Sequence, residues 1–354
     1  MRQSRKLEHL KHTVALDDGP GCSGFKDLHI VHNCLPDLAW KNVTLTTNVA
    51  GITLKHPVII NAITGGADDV AKVNWQLAEL ANRTGAAMAV GSQFSALENP
   101  EMVHSYKIVR KANPKGIIFA NLGAHTTPED AKRAVKMVEA AAIQIHLNAA
   151  QELIMKEGDR DFRGYLANIQ AIVKECQIPV IVKEVGCGIA AEQAKMLIQA
   201  GVKAIDIGGR GGTNFLAIEA ARAKNHLEPQ MLQWGIATAV SAIEVSHELP
   251  DHVDMVVSGG VRSALDAVKA LAIGAKAVAI AGPIIKCLEN QGLAVTETWF
   301  LSYLEDIKRI MLLTGTSNIA ALANIPLVIT GQSYEWLRGR GVDPTSFAKR
   351  CKTI

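Results

Sequence analysis

The chain has 354 residues and a formal net charge of +3, from 37 Lys and Arg against 34 Asp and Glu. That charge is too small for a global field that collects nucleic acid or anionic lipid, so any basic site must be local. Composition is 48% hydrophobic but only 5% aromatic, which excludes a disordered or fibrous chain and calls for a core of Ala, Val, Ile and Leu, as in buried parallel strands and their covering helices.

Residues 1–56 precede the first predicted strand and carry the loop GPGCSGF. Eight short apolar runs then recur, each followed by a loop and a segment of helical periodicity, the pattern of repeated parallel βα units. They are PVIINAIT (57–64), AAMAVG (86–91), GIIFANL (116–122), AIQIHL (142–147), PVIVKEV (179–185), AIDIGG (204–209), DMVVSGG (254–260) and AVAIAG (277–282). Helices are predicted over 69–84, over 128–140 opening on Thr127 and Pro128, over 190–200 before Gly201 and over 263–273 before Gly274. Pro inside the start and Gly past the end mark these boundaries.

The 210–250 stretch exceeds a simple crossover and is expected to hold a loop excursion. From about 312 onward the pattern weakens, as for a terminal helix and extension. Eight units without a composition break predict an α/β fold, a (β/α)8 TIM barrel, over an open doubly wound sheet; a barrel of about 250 residues leaves roughly a hundred for additions. The chain therefore reads as a single domain: an N-terminal arm and cap (1–56), a barrel (57–311) and a C-terminal extension (312–354).

No run approaches the roughly 18 apolar residues that span a bilayer, and the start MRQSRKLEHLKH is charged where a secretory signal is apolar. A soluble, cytoplasmic protein is expected. The cysteines (Cys22, Cys34, Cys176, Cys187, Cys287, Cys351) form no CxxC pair, so neither a zinc site nor a disulfide framework is indicated, and reduced thiols are expected.

A barrel of this kind keeps its chemistry at the C-terminal ends of the strands. Here those ends are polar as a set: Thr64 to Gly66, Gly91 to Gln93, Asn121, His146 with Asn148, Lys183 with Glu184, Gly208 to Thr213, Gly259 with Gly260, and Ala281 with Gly282. Loops after the seventh and eighth strands (VSGGVR, AIAGP), with GGRGGTN after the sixth, offer backbone N–H groups and a helix N-terminus to a phosphate. Glycine there admits phosphate oxygens without a Cβ in the way, although tight turns alone also use it.

Lys183 sits in the apolar run PVIVKEV, where an ammonium needs an anion or a pocket. Adjacent strand residues point to opposite faces, so the Glu184 side chain is a poor partner. His146 and Asn148 share a face, and Gln151 and Glu152 follow; the set can hold a small polar substrate and a hard cation such as Mg²⁺, or be a solvated loop. Arg5 and Lys6, near His9 and His12, form the densest basic patch. It reads either as a solvated terminus or as an arm that folds over the barrel mouth and clamps a diphosphate.

Taken together, the RKxEH start (Arg5, Lys6, Glu8, His9), GSQ, IHLNAAQE, VKEVG, GGRGGTNF, QWGIAT, SGGVR and AIAG resemble the FMN-dependent type 2 isopentenyl diphosphate isomerase family over nearly the whole length. GGR occurs in many flavin barrels; IHLNAAQE with the RKLEH arm discriminates. The resemblance implies flavin contacts at Ala62, Ile63, Thr64, Ser92, Asn121, Lys183 and Thr213, and phosphate-end contacts at Gly259, Gly260, Arg262, Ala281 and Gly282. It implies substrate contacts at Arg5, Lys6, His9, Ser92, Gln93 and Gln151, a catalytic polar set of His146, Asn148 and Gln151, and a Mg²⁺ ligand in Glu152. Related sequences usually have Pro where this chain has Ala237.

The implied reaction is a 1,3-proton shift between isopentenyl and dimethylallyl diphosphate, with reduced FMN as acid and base and NAD(P)H serving only to reduce it. Lys183 is expected at the flavin N1 and O2 edge, where its charge favours the anionic reduced ring. A homo-oligomer, tetramer or octamer, is also implied. Two other readings stand beside this one. An FMN-dependent hydroxy-acid oxidase shares the barrel, but its His and Arg pair after strand six has no His here. A non-catalytic phosphate or nucleic-acid binder is opposed, for nucleic acid, by the low charge and the lack of aromatics around Arg5 and Lys6.

Overall fold

The computed structural model describes residues 2–16, 19, 21–62, 65–66 and 68–350; of residues 2–7, 68 and 69 only the backbone is described. Its strands are β1 (Leu28–Ile30), β2 (Thr47–Val49), β3 (Ile52–Leu54), β4 (Val58–Ile60), β5 (Ala87–Ala89), β6 (Ile118–Gly123), β7 (Ala142–Leu147), β8 (Val180–Glu184), β9 (Ala204–Asp206), β10 (Asp254–Ser258), β11 (Ala277–Ile280) and β12 (Leu327–Ile329). β4 to β11 close into a barrel in which each strand pairs in parallel with its sequence neighbours and β11 pairs with β4. This is the expected (β/α)8 fold, and the eight barrel strands are the eight apolar runs.

The predicted helices form at Asp68–Thr84, Pro128–Val138, Ala191–Gln199 and Ala264–Ile273. Thr127 caps the second by accepting from the Asp130 N–H while the Asp130 side chain accepts from the Thr127 N–H, with Pro128 in the first turn. Ser263 and Asp266 cap the fourth in the same way. Each such reciprocal cap satisfies helix N–H groups that the helix itself leaves unpaired. The 210–250 stretch is more ordered than a loop excursion. It holds the helices Phe215–Ala223 and Thr238–Ser246, and Arg210 closes its base by donating its N–H to Ile236 O at 2.9 Å and accepting from the Thr238 N–H at 3.2 Å.

Strand alternation sorts the core into two parts. Outward residues such as Ile60, Ile118, Ile143, Val182 and Ile205 pack beneath the helices. Inward residues Ile59, Ala87, Phe119, Ala142, Ile181, Ala204, Val256 and Ala277 fill the barrel's lower half. Many of these are alanines, which leave space at the axis, and the β2–β3 hairpin fills it with Val49 and Leu54. Burying each of those two side chains contributes about 1.5–3 kcal/mol. The hairpin is anchored by Thr47 Oγ1 donating to Lys276 O at 2.8 Å and by the Ala50 N–H donating to Asp254 Oδ2 at 2.7 Å. This part of the first 56 residues thus seals the end of the barrel opposite the mouth.

The segment before it begins as a helix, Arg2–Ala15, packed on Phe215–Ala223 and Gly282–Leu313. β1 pairs antiparallel with β12, so the chain's two ends are stitched together, Leu28 opposite Ile329. Among the described residues Cys22, Cys34, Cys176, Cys187 and Cys287 are not disulfide-bonded; Cys351 lies outside the described residues. Among the described residues no helix is long and apolar enough to cross a membrane.

Candidate active site

Above the apolar layer the same inward alternation turns polar. Asn61 follows β4, Asn121 lies on β6, Gln144 and His146 on β7, Lys183 on β8, Asp206 on β9 and Ser258 on β10. Apart from His146 they are buried. Asn61, Asn121, His146, Lys183 and Ser258 line a cavity of about 960 Å³ to which all eight barrel strands bring their C-terminal ends, at the upper end of the ~300–1,000 Å³ common for ligand and cofactor pockets; Asp206 and Gln144 are hydrogen-bonded to Asn61 and Asn121.

The cavity wall includes Ala62, Ser92, Asn121, Lys183, Thr213, Gly259, Gly260, Arg262, Ala281 and Gly282, and also His9, His146, Asn148, Gln151 and Glu152. One space therefore joins the expected flavin contacts to the expected substrate set. Gln93 is not part of the wall. It is fully buried; its Oε1 accepts the Asn121 N–H at 3.0 Å and its Nε2 donates to Ala134 O at 2.9 Å, so it steadies Asn121 from behind. The side chains of Arg5 and Lys6, and residues Ile63 and Thr64, lie outside the described residues.

Lys183 Nζ donates to the Glu184 carbonyl at 2.8 Å, and its Cα is in register with that of Asp206. Burial pushes the Asp206 carboxyl up, against the Lys183 charge, the Ser258 and Asn61 side chains and the Gly208 N–H. The Glu184 carboxylate turns the other way, as alternation predicts. Its Oε2 accepts the N–H groups of Gly186, Cys187 and Gly188 at 2.7, 2.5 and 3.2 Å. Burial nevertheless raises the Glu184 carboxyl to about 7.

In the loop expected to meet a phosphate, Gly259 has φ +101° and a Cβ there would lie 2.2 Å from Gly209 O. The loops after the sixth and seventh strands thus touch through backbone, and no other residue fits. The helix after the eighth strand starts at Gly282 and takes no side-chain cap from Ala281. Pro283 in its first turn has no N–H, so the backbone donors that this helix start can offer an anion are those of Gly282 and Ile284.

In the expected substrate set, Asn148 Nδ2 donates to Glu152 Oε1 at 2.8 Å, and Asp159 N–H to Glu152 Oε2 at 3.0 Å. Gln151 Nε2 donates to Glu219 Oε1 at 2.9 Å, and His9 Nε2 lies 2.7 Å from the same atom. Arg222 pairs with the other Glu219 oxygen, with Glu8 at 2.9 Å and with Glu157 at 3.0 Å. Burial works to raise the Glu219 carboxyl, but the His9 hydrogen bond and charge, Gln151 and Arg222 outweigh it and hold it below the ordinary carboxylate range.

Glu219, Arg222, Asp206, Asn61, Gln144 and Ser258 were not anticipated. The rule that singled out Lys183, a charge inside an apolar run, applies equally to Asp206 in AIDIGG and to Glu219 in FLAIEAARA. At Ala237 the backbone has φ −56°, the value proline imposes, so the loop keeps a proline-like path without proline.

Residues 120–327 match the FMN-dependent dehydrogenase family. The chain is 47% identical to isopentenyl-diphosphate delta-isomerase from Symbiobacterium thermophilum over 99% of both chains. With the protein of the same name from Moorella thermoacetica it shares 50% identity over 96% of this chain and 97% of that one. Among solved structures, a mandelate oxidase bound to (S)-2-phenylpropionate has the same fold, with a TM-score of 0.65, 16% identity and coverage of 91% and 94%. The chain belongs to the isopentenyl-diphosphate delta-isomerase family, enzymes built here on the barrel of the FMN-dependent dehydrogenases.

Proposed function

We propose that this enzyme interconverts isopentenyl and dimethylallyl diphosphate by a 1,3-proton shift, with Mg²⁺ on the diphosphate and NAD(P)H as the reductant of its flavin. The observation that carries this reading is the single cavity joining the glycine-lined phosphate end to the polar set on and after β7. Reduced FMN, when bound, supplies the acid and base.

The residues present suit that group. Gly259, Gly260 and the uncapped start of the Gly282–Leu313 helix receive its phosphate, aided by Arg262. Lys183 brings a buried positive charge beside the flavin, where it favours an anionic ring. Ser92, Thr213 and Ala62 border the same space, and the family resemblance assigns Ile63 and Thr64 to the flavin as well.

His146, Asn148 and Gln151 orient the substrate, with His9, Ser92 and the Arg5 and Lys6 arm gripping its diphosphate. Mg²⁺ fits Glu152 as a single protein carboxylate. Among the described residues there is no group of three His, Cys, Asp or Glu that could hold a metal ion, so the remaining ligands are diphosphate oxygens and water, the usual habit of Mg²⁺. Gln93 supports Asn121 rather than substrate. The family resemblance also supports a cytoplasmic homo-oligomer, tetramer or octamer.

The test is anaerobic turnover of isopentenyl diphosphate by flavin-reduced enzyme with Mg²⁺. Formation of dimethylallyl diphosphate without net NAD(P)H consumption supports the reading; oxidation of a 2-hydroxy acid with flavin bleaching and no isomerisation replaces it with the oxidase reading.

A further inference from the structure

Six of the inward polar residues, all but Lys183, form one hydrogen-bonded file. Ser258 Oγ donates to Asp206 Oδ1 at 2.5 Å and Asn61 Nδ2 to Asp206 Oδ2 at 3.1 Å. Gln144 Nε2 donates to Asn61 Oδ1 at 3.2 Å, and Asn121 Nδ2 to Gln144 Oε1 at 3.0 Å. The file ends where Asn121 Oδ1 lies 3.0 Å from His146 Nδ1.

A side-chain amide has a donor end and an acceptor end, so a file of amides has a direction. Here the direction is fixed at its root. Asn61 turns its NH₂ to the Asp206 carboxylate, and its oxygen also accepts the Ala62 N–H at 2.9 Å. The second contact is independent of the charge on Asp206. Gln144 must then present its NH₂ to Asn61 and its oxygen to Asn121, and Asn121 must present its oxygen to His146. An amide oxygen donates nothing, so the hydrogen in the last contact belongs to His146 Nδ1.

We propose that Asp206, Asn61 and Gln144 are positioning residues that, through Asn121, hold His146 in its Nδ1–H form and make Nε2 the acceptor of the neutral ring. His146 lines the cavity, and Gly123, its register partner on β6, leaves room beside it: a Cβ there would lie 2.8 Å from the His125 ring and 3.3 Å from His146 Nε2. The neutral ring takes a proton or a hydrogen bond at Nε2, and only the imidazolium donates from it. The consequence for turnover rests on the isomerase reading above; the protonation pattern of the ring does not.

The experiment is ¹⁵N NMR of the histidine rings in the full-length FMN-loaded protein, with His146 assigned through His146→Gln, at a pH where the ring is neutral. The expected spectrum has hydrogen on Nδ1 and a lone pair on Nε2. Gln144→Met fills the same space without either polar end and frees the Asn121 amide to turn, so the Nε2–H form appears and kcat/KM falls on the order of 10–100-fold, the scale for partners that orient a histidine ligand. A merely structural role for Gln144 leaves the ring signals unmoved. A wild-type ring neutral as Nε2–H, or a Gln144→Met spectrum identical to wild type, overturns the proposal. If the variant does not fold, the wild-type spectrum decides alone. An Nδ1–H ring in a protein without isomerase activity keeps this assignment and removes the proposed reaction.

Discussion

His9 Nε2 lies 2.7 Å from Glu219 Oε1, so the Arg2–Ala15 helix is latched to the helix that follows the sixth barrel strand. Glu219 also receives Gln151 and Arg222, and it therefore joins the arm to the cavity wall that Gln151 and Arg222 line. Glu219→Gln keeps the shape but removes the charge that three donors share. It is expected to lower stability by about 1–3 kcal/mol, the scale for a buried hydrogen-bonded group left short of a partner, and to raise KM for isopentenyl diphosphate as the arm loosens. Denaturation midpoints and initial rates read both. The carboxyl is held below its ordinary value, so its contribution is complete above the unfolded value and fades as pH falls through the depressed one. Glu219→Gln should remove that acid limb, and an unchanged acid limb counts against the latch.

Glu184 carries the opposite sign. Burial lifts its carboxyl from 4.5 to about 7, so the folded state binds a proton that the unfolded state has already released between these values. Stability is therefore highest below the unfolded value and declines as pH rises through the folded one. Glu184→Gln, with an amide oxygen still able to accept from Gly186, Cys187 and Gly188, is expected to flatten the stability profile between about pH 5 and 7. A slope identical to wild type in that window rejects the assignment.

Lys183→Ala leaves the buried Asp206 carboxyl without its cationic neighbour and the cavity without a positive charge where the flavin is proposed to bind. FMN affinity is expected to fall at least about tenfold, the equivalent of one charge-assisted hydrogen bond. Reduction by NAD(P)H should slow as well. Flavin titration followed by anaerobic reduction measures both, and full retention of both removes the role given to Lys183.

Gly259→Ala tests the phosphate end. Its φ of +101° and the 2.2 Å approach to Gly209 O make alanine both strained and obstructed, costing more than about 1 kcal/mol. The variant should emerge from gel filtration with less FMN than wild type, read from its visible absorption; full occupancy contradicts the cradle.

Much of this architecture was legible because strands and helices advertise their periods. A charge inside the apolar run PVIVKEV singled out Lys183 and set it on the opposite face from Glu184, His146 stood at a polar strand end, and Thr127–Pro128 and Gly274 marked helix boundaries. What escaped depends on contacts distant in sequence. Glu219 acquires its importance only when His9, 210 residues away, folds onto it. Gln93, beside Ser92 in GSQ, turns away from the cavity because its amide bridges Asn121 and Ala134, and no local pattern encodes that choice. The β2–β3 hairpin was invisible for the same reason: three-residue strands carry too little alternation, and their role depends on the alanine-lined space they plug.

The most direct test of the central claim is product analysis after anaerobic incubation of the FMN-loaded, reduced enzyme with isopentenyl diphosphate and Mg²⁺. Dimethylallyl diphosphate should accumulate to equilibrium while the flavin stays reduced and no NAD(P)H is consumed beyond the initial reduction. Recovery of unchanged isopentenyl diphosphate from protein that has demonstrably bound and reduced FMN would contradict it.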